Sequence, residues 1–555
     1  MTVASKPPVI TTPPLQGSPG DGIDSDLEPI GIVDAAAPLA RCRMVDDDAG
    51  NRAAAVAAPP IRGRQKMRMM QKMNHTPMSH GTAKPRIGLF GIGLDAYWPQ
   101  FTGLKERLEA NLAAVAAQLS RPDIELVNLG LIDNPKRAME AGHEFRRADV
   151  DMIFLYVTTY ALSATVLPVV RRAAVPVVIL NLSPGAAMDY SAFNAMRDRT
   201  QMTGIWLEWC SACPTPEIAN VFNRCGIAFH QITGMLRDDP HVQAQIHHWL
   251  DAVKSAHVMA HNRLGIMGHY YSGMLDIYAD LTLHAGVFGG HMEMIEVDEL
   301  AELRKHVSSD DLDRRVAHFH EVFDIQPDCP AEELRRAART SVALDQLILR
   351  HDLGSLCYYY MGEGSPENED AISSIILGNS LLTARGIPVA GEMEVANVQA
   401  MKIMDALGAG GSFTEYYGVD FNENVLLMGH DGPGHIAIAE GKTKVRPLGV
   451  YHGKVGRGLS VEMSVRHGPV TLLSVVQGVG GRIKLIYAHG ESVPGPILEI
   501  GNTNSRYRFA SGVREFMEAW NRHGPAHHCA TGVGHIGDKI EKFGQLLGIE
   551  THRVA

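Results

Sequence analysis

The stretch MIFLYVTTYALSATVLPVV, residues 152–170, is the longest apolar run in the chain. By length it would suit a membrane span, but Thr158, Thr159, Ser163, Thr165 and Pro168 interrupt it, Asp149 and Asp151 precede it, and Arg171 and Arg172 follow it. A spanning helix needs about 20 predominantly apolar residues without such breaks. The run is therefore read as a buried strand over 152–157, a polar loop, and a helix entered near Ser163. The same alternation repeats on either side. RIGLFGIG (86–93) predicts a strand, 104–119 an amphipathic helix, IELVNLG (124–130) a strand and 134–147 a helix; VPVVILNLS (175–183) follows the helix around 166–174. Continuous apolar strands alternating with helices predict a parallel sheet covered on both faces.

Farther along, NRLGIMGHYY, HMEMIEVDE, GSLCYYYMG and GIPVAGE are strand candidates separated by helical stretches, which predicts a second parallel-sheet unit. After Gly411 the text changes. VLLMGH, VRPLGVYHG, LSVEMSVRHG, VTLLSVVQG, RIKLIYAHG and GPILEIGN are short runs broken by Gly and Pro at near-regular spacing, the pattern of an antiparallel sheet or barrel. The expected architecture is α/β: two Rossmann-like parallel-sheet domains, 84–258 and 259–410, then a β-rich, barrel-like domain, 411–555. Residues 1–83, with Pro pairs at 7–8, 13–14 and 59–60 and the acidic run Asp46-Asp47-Asp48, show no lasting apolar period and are expected to be a disordered extension.

Composition narrows the function. The chain has 555 residues, 45% of them hydrophobic, and 51 basic against 62 acidic side chains, for a net charge of −11. That length holds several domains at roughly 150 residues each. Dispersed, mildly acidic charge lacks the basic stripe of a nucleic-acid-binding protein. Seven cysteines in such a length do not make a disulfide scaffold, so a reducing, cytoplasmic setting is expected. The first residues, MTVASKPPVITTPPLQGSPG, lack the basic-then-apolar pattern of a signal peptide.

Polar groups collect where such a fold exposes functional atoms. Glu392 and Glu394 follow the strand IPVAG, at the carboxyl end where open α/β sheets hold ligands. Glu415 lies in GSFTEYYGVD, behind the Gly-rich turn at 408–411. His430 and His435 lie in MGHDGPGH, directly after an apolar strand, and His527 and His528 form the pair in PAHHC, read as a loop after a helix. Single carboxylates at strand ends are usually solvated or salt-bridged. Several carboxylates and imidazoles around one domain make a ligand set for a divalent metal.

The order of these residues, Glu392, then FTEYYGVDF, then MGH, then a distant HH, resembles L-arabinose isomerase and its L-fucose isomerase-like relatives, best over 389–430 and 520–531. The resemblance implies one Mn²⁺-type ion (or Co²⁺ or Mg²⁺) per active site, held by Glu392, Glu415, His430 and His528, with His527 as the fallback for the last. It implies that Glu392 and Glu415 also serve as the acid/base pair of an aldose–ketose isomerisation, of the L-arabinose to L-ribulose type, by way of an enediol. A sugar substrate and a homo-oligomer, trimer or hexamer with the site near a subunit interface, come with it; nucleic acid and membrane do not. Departures from the family pattern are HDGPGH after the third ligand, with Asp431 and His435, and MEVANVQ after the first glutamate. They leave open a 6-deoxyhexose as substrate, or a non-catalytic cytoplasmic sugar-binding protein.

Other motifs have plainer readings. GVGHIG (532–537) matches G-x-G-x-x-G, but with no strand expected before it and no acidic residue about twenty positions on it reads as a glycine-rich loop. Cys210-x-x-Cys213 has no second such pair to complete a zinc site.

Overall fold

In the computed structural model, residues 84–361, 364–449 and 456–554 are described; the stretch 1–83, expected to be disordered, lies outside the described residues. Five parallel strands, β1 (Arg86–Ile92), β2 (Glu125–Ile132), β3 (Met152–Tyr156), β4 (Val177–Ser183) and β5 (Phe229–Met235), form a doubly wound sheet in the order β2-β1-β3-β4-β5. Every residue of β3 is buried, as a central strand covered on both faces must be. The run containing β3 continues as a 3₁₀ turn at Ser163–Thr165 and a helix, Leu167–Ala173. Among the described residues no helix is long and apolar enough to cross a membrane. Helix Leu104–Leu119 buries Leu104, Leu108, Leu112, Val115 and Leu119 along one face. Helix Pro135–Arg147 begins where the Asn134 side chain accepts the Arg137 N–H, with proline in the first turn.

Helix Pro240–Ala260, capped by Asp239, leads to β6 (Arg263–Gly268), β7 (His291–Ile295), β8 (Asp324–Ile325), β9 (Ser355–Tyr359) and β10 (Val389–Ala390). Four of these make a second parallel sheet, β10-β9-β6-β7. The remaining strands are β11 (Ser412–Asp420), β12 (Val425–His430), β13 (Lys444–Pro447), β14 (Leu459–Glu462), β15 (Gly468–Gln477), β16 (Ile483–Ser492), β17 (Thr503–Arg508), β18 (His528–Val533) and β19 (Glu550–Arg553). Antiparallel neighbours run β15-β18-β11-β12-β17-β16, and β16 pairs back onto β15 from Ile483 to Ser492, closing a ring. The β-rich, barrel-like end of the chain is thus present, with β19 added in parallel along β16. β8 leaves the second sheet to pair with β13, which also pairs with β14.

Three local expectations are corrected. GPILEIGN forms no strand, because Pro494 and Pro496 deny the ladder its donors; the strand begins after it, in the polar but buried TNSRYR. PAHHC is not wholly a loop, since His528 opens β18. A strand does precede GVGHIG and the helix Gly537–Leu547 follows it. That strand belongs to the antiparallel ring, however, and the glycines serve packing: a Cβ on Gly532 would meet Met404 at 2.6 Å, and one on Gly537 would meet Tyr487 at 2.4 Å.

One apolar cluster runs without a break through the second sheet, helix Val395–Ala406 and the ring, and includes Ile266, Cys357, Met393, Met401, Phe413 and Tyr487. That helix is buried on nearly every side, its polar Asn397, Gln399 and Lys402 included. It clamps the turn before it, which carries Glu392 and Glu394, between sheet and ring.

Candidate metal centre

The turn after β10 places the first carboxylate. Glu392 and Met393 both have left-handed backbone, φ 58° and 64°, a conformation that L side chains rarely adopt. The Met393 N–H donates to the Tyr358 carbonyl, the Glu394 N–H to the Gly391 carbonyl, and the Glu392 carbonyl accepts from Tyr271. Held in this way, Glu392 reaches over the ends of the ring strands. There β11 and β18 pair with Glu415 directly opposite His528, so that register delivers a carboxylate and an imidazole to one face. His430 ends β12; its N–H donates to Thr503 Oγ1, and that hydroxyl donates back to the His430 carbonyl. The Phe413 ring packs against both imidazoles, 4.3 Å from His430 and 4.4 Å from His528.

All four residues expected as ligands are brought together. Glu392 Oε1 lies 3.8 Å from His430 Nε2, Glu392 Oε2 lies 3.4 Å from His528 Nε2, and Glu415 Oε2 lies 4.0 Å from His528 Nε2. His527 Nε2 stands 3.9 Å from Glu392 and 4.0 Å from Glu415. Among the described residues, Glu392, His527 and His528 are the group whose donor atoms all lie within 4.8 Å of one another; Glu415 and His430 stand outside it. His435, by contrast, faces away: its Nε2 is 3.8 Å from Asp405 and its N–H donates to Ser412. Cys210 is buried, and its thiol is pushed up to about 12, chiefly by burial, so it is not a reactive thiolate.

Two residues with clear work here received no role from the sequence. Glu394, 1% exposed, lies with Oε2 2.5 Å from His528 Nδ1, a contact that leaves Nε2 turned toward Glu392 and Glu415; a carboxylate behind a ligating imidazole fixes its orientation and raises its basicity. Asp276, in the 3₁₀ turn Leu275–Ile277, accepts the backbone N–H of His527 at 3.0 Å and meets its Nδ1 at 2.6 Å. The doublet E-M-E hinted at Glu394. Nothing local marked Asp276, which is 251 positions from its partner.

The electrostatics are those of a negative pocket short of positive charge. Burial, reinforced by Glu394 and Glu415, pushes Glu392 up to about 7 against the opposing pull of His527. Burial lifts Glu394 to about 8. It also drives His528 well below the usual imidazole range, helped by its neighbour His527. Burial opposes protonation of His527 too, but the bond to Asp276 prevails and raises it. Glu392 Oε2 and His528 Nε2 are buried, face each other and have no hydrogen-bond partner among the described residues. Such orphaned acceptors are costly in a folded protein unless something satisfies them. A divalent cation fits: oxygen and neutral imidazole donors without thiolate suit Mn²⁺, Co²⁺ or Mg²⁺. A cavity of about 390 Å³ opens beside the cluster, lined by Asp276, Glu415, Tyr416, Trp520 and His527.

Residues 410–550 match the family described as the L-arabinose isomerase C-terminal domain. No curated protein matches the chain. Among solved structures, D-lactate dehydrogenase from Salmonella is similar at 10% identity over 58% of this chain and 95% of that one, with a TM-score of 0.12, too slight a likeness to carry any argument.

Proposed function

We propose that this chain, L-arabinose isomerase-like through residues 410–550, interconverts an aldose and a ketose, of the L-arabinose to L-ribulose type, with a divalent ion held by Glu392, Glu415, His430 and His528. The observation that carries the reading is the unpartnered pair Glu392 Oε2 and His528 Nε2, 3.4 Å apart, with Glu415 4.0 Å from the same nitrogen. A bound ion supplies Lewis acidity toward the sugar's carbonyl and hydroxyl oxygens. The protein's own groups handle the protons. Isomerisation removes a proton from C2 of the aldose and delivers one to C1, while the hydroxyl proton passes from O2 to O1. Glu392, aimed into the cluster between His430 and His528, is the group that takes the carbon proton and returns it. Glu415 borders the cavity that would admit the sugar. His527, held toward its protonated form by Asp276, can donate to a sugar oxygen there. Trp520 and Tyr416 supply apolar wall for the sugar's carbon face.

By the same resemblance the protein is a cytoplasmic homo-oligomer, trimer or hexamer, with the site near a subunit boundary. Leu275 and Tyr278, exposed beside Asp276, are apolar surface such a boundary would cover. The test is ketose formation from a panel of pentoses and 6-deoxyhexoses with added Mn²⁺. Chelator should abolish turnover and Mn²⁺ or Co²⁺ restore it; full turnover in metal-free protein would overturn the reading. The sugar turned over fastest separates the arabinose type from the 6-deoxyhexose type, and binding without turnover across the panel would favour a sugar-binding protein.

A further inference from the structure

A second cavity, of about 330 Å³, lies between helix Ser309–Val322, the end of helix Ile376–Ala384 and the segment 436–443. Its wall carries Arg315, His318, Arg385, Lys442 and Thr443. Arg315 and Arg385 each donate to one oxygen of the buried Asp345, and Arg315 also donates to Ser341. One negative charge therefore answers two guanidiniums. Lys442, whose Nζ donates to the His320 carbonyl at 3.2 Å, adds a third positive charge. The carboxylate beside His318, Glu321 at 3.5 Å, is exposed and does not line the cavity.

Two polar groups of this wall are buried without a hydrogen-bond partner among the described residues: Thr443 Oγ1, in a residue 3% exposed, and Arg385 Nε. Leaving a buried hydroxyl and a guanidinium N–H unsatisfied is unfavourable. Guanidiniums present forked donors that match phosphate oxygens, and the match is strongest when the acceptor is charged. The surplus of two positive charges equals that of a phosphate monoester at neutral pH, about −1.5 to −2. The volume falls at the small end of metabolite pockets.

We propose that this cavity binds the phosphate group of a small phosphate monoester. Five residues, 431–435, connect His430 to Ile436 on the cavity wall, so a ligand here adjoins the chain that ends β12. The site stands independently of the reaction at the metal centre.

Calorimetric titration of the metal-loaded full chain tests it, with glycerol 3-phosphate as the probe and glycerol as the control. Saturable binding of the phosphate ester, none of glycerol, and at least roughly tenfold weaker binding in folded Lys442→Glu or Thr443→Val would bear it out. Thr443→Val is nearly isosteric and keeps the test open if the charge reversal disturbs folding. Absence of saturable binding up to about 10 mM would overturn the proposal. So would equal binding of glycerol, or affinity unchanged in both variants, which would put the phosphate elsewhere, the metal centre included.

Discussion

Two groups of buried carboxylates can be set side by side. Asp345 sits between Arg315 and Arg385, and their charges, with the bonds they donate, hold it below the usual carboxylate range despite full burial. Glu392 and Glu394 are buried too, but among the described residues their ion pairs are all to histidines, and both carboxyls are pushed up. Burial is common to both; the neighbours decide the sign. In the first arrangement the carboxylate is more than answered by its two guanidiniums, and its role is structural. The second lacks a positive charge that the protein does not itself provide, and that distinguishes a binding centre from a buried salt bridge.

The sharpest way to break the comparison is Glu392→Gln. If that carboxylate moves the carbon-bound proton, kcat for the sugar isomerised should fall roughly 10²–10⁴-fold, with bound metal measured in the same sample. A metal-replete variant turning over at near wild-type rate would remove Glu392 as the proton carrier. At the structural pair, Asp345→Asn strands two guanidiniums and should cost about 3–5 kcal/mol in denaturant unfolding with no direct effect on the metal centre. A loss under about 1 kcal/mol would show that Arg315 and Arg385 find other partners.

The comparison also predicts a pair of opposite pH dependences. Asp345 has a lowered folded pKa, so its stabilisation is present above the unfolded value, near 4, and disappears as pH falls through the folded one. Glu392 and Glu394 have raised folded values, so their contribution is complete below the unfolded value and is lost as pH rises through about 7 and about 8. Metal-stripped protein should therefore melt at progressively lower temperature from about pH 5 to about pH 8.5, and Glu394→Gln should flatten that slope. A midpoint that climbs across the window would contradict the assignment.

Much of this was legible in the sequence, for reasons that differ by region. β3 and β9 are continuous apolar runs, and their alternation with helices fixed the parallel sheets. β17 was missed because TNSRYR is polar; its burial comes from sheet neighbours, not from its own composition. The strand character of His528 was hidden because HCATGV has no clean alternation, and what places it opposite Glu415 is pairing between segments more than a hundred residues apart. The four expected ligands came from the resemblance in their order along the chain, not from strand position alone, since Glu415 lies inside β11. Glu394 and Asp276 act through other side chains, so only three-dimensional contact gives them a role.

The turn at Glu392 and Met393 has a consequence for any attempt to stabilise this protein. Two successive non-glycine residues in left-handed backbone cost roughly 1–2 kcal/mol each, and glycine at position 393 would relieve part of that. Yet Met393 is 1% exposed and its sulfur meets Cys357 at 3.4 Å, so glycine would also empty a filled core position and free the hinge that aims the first carboxylate. At this corner heat resistance and aim pull against each other. An engineer who relaxes the backbone here gives up the fixed bearing of Glu392.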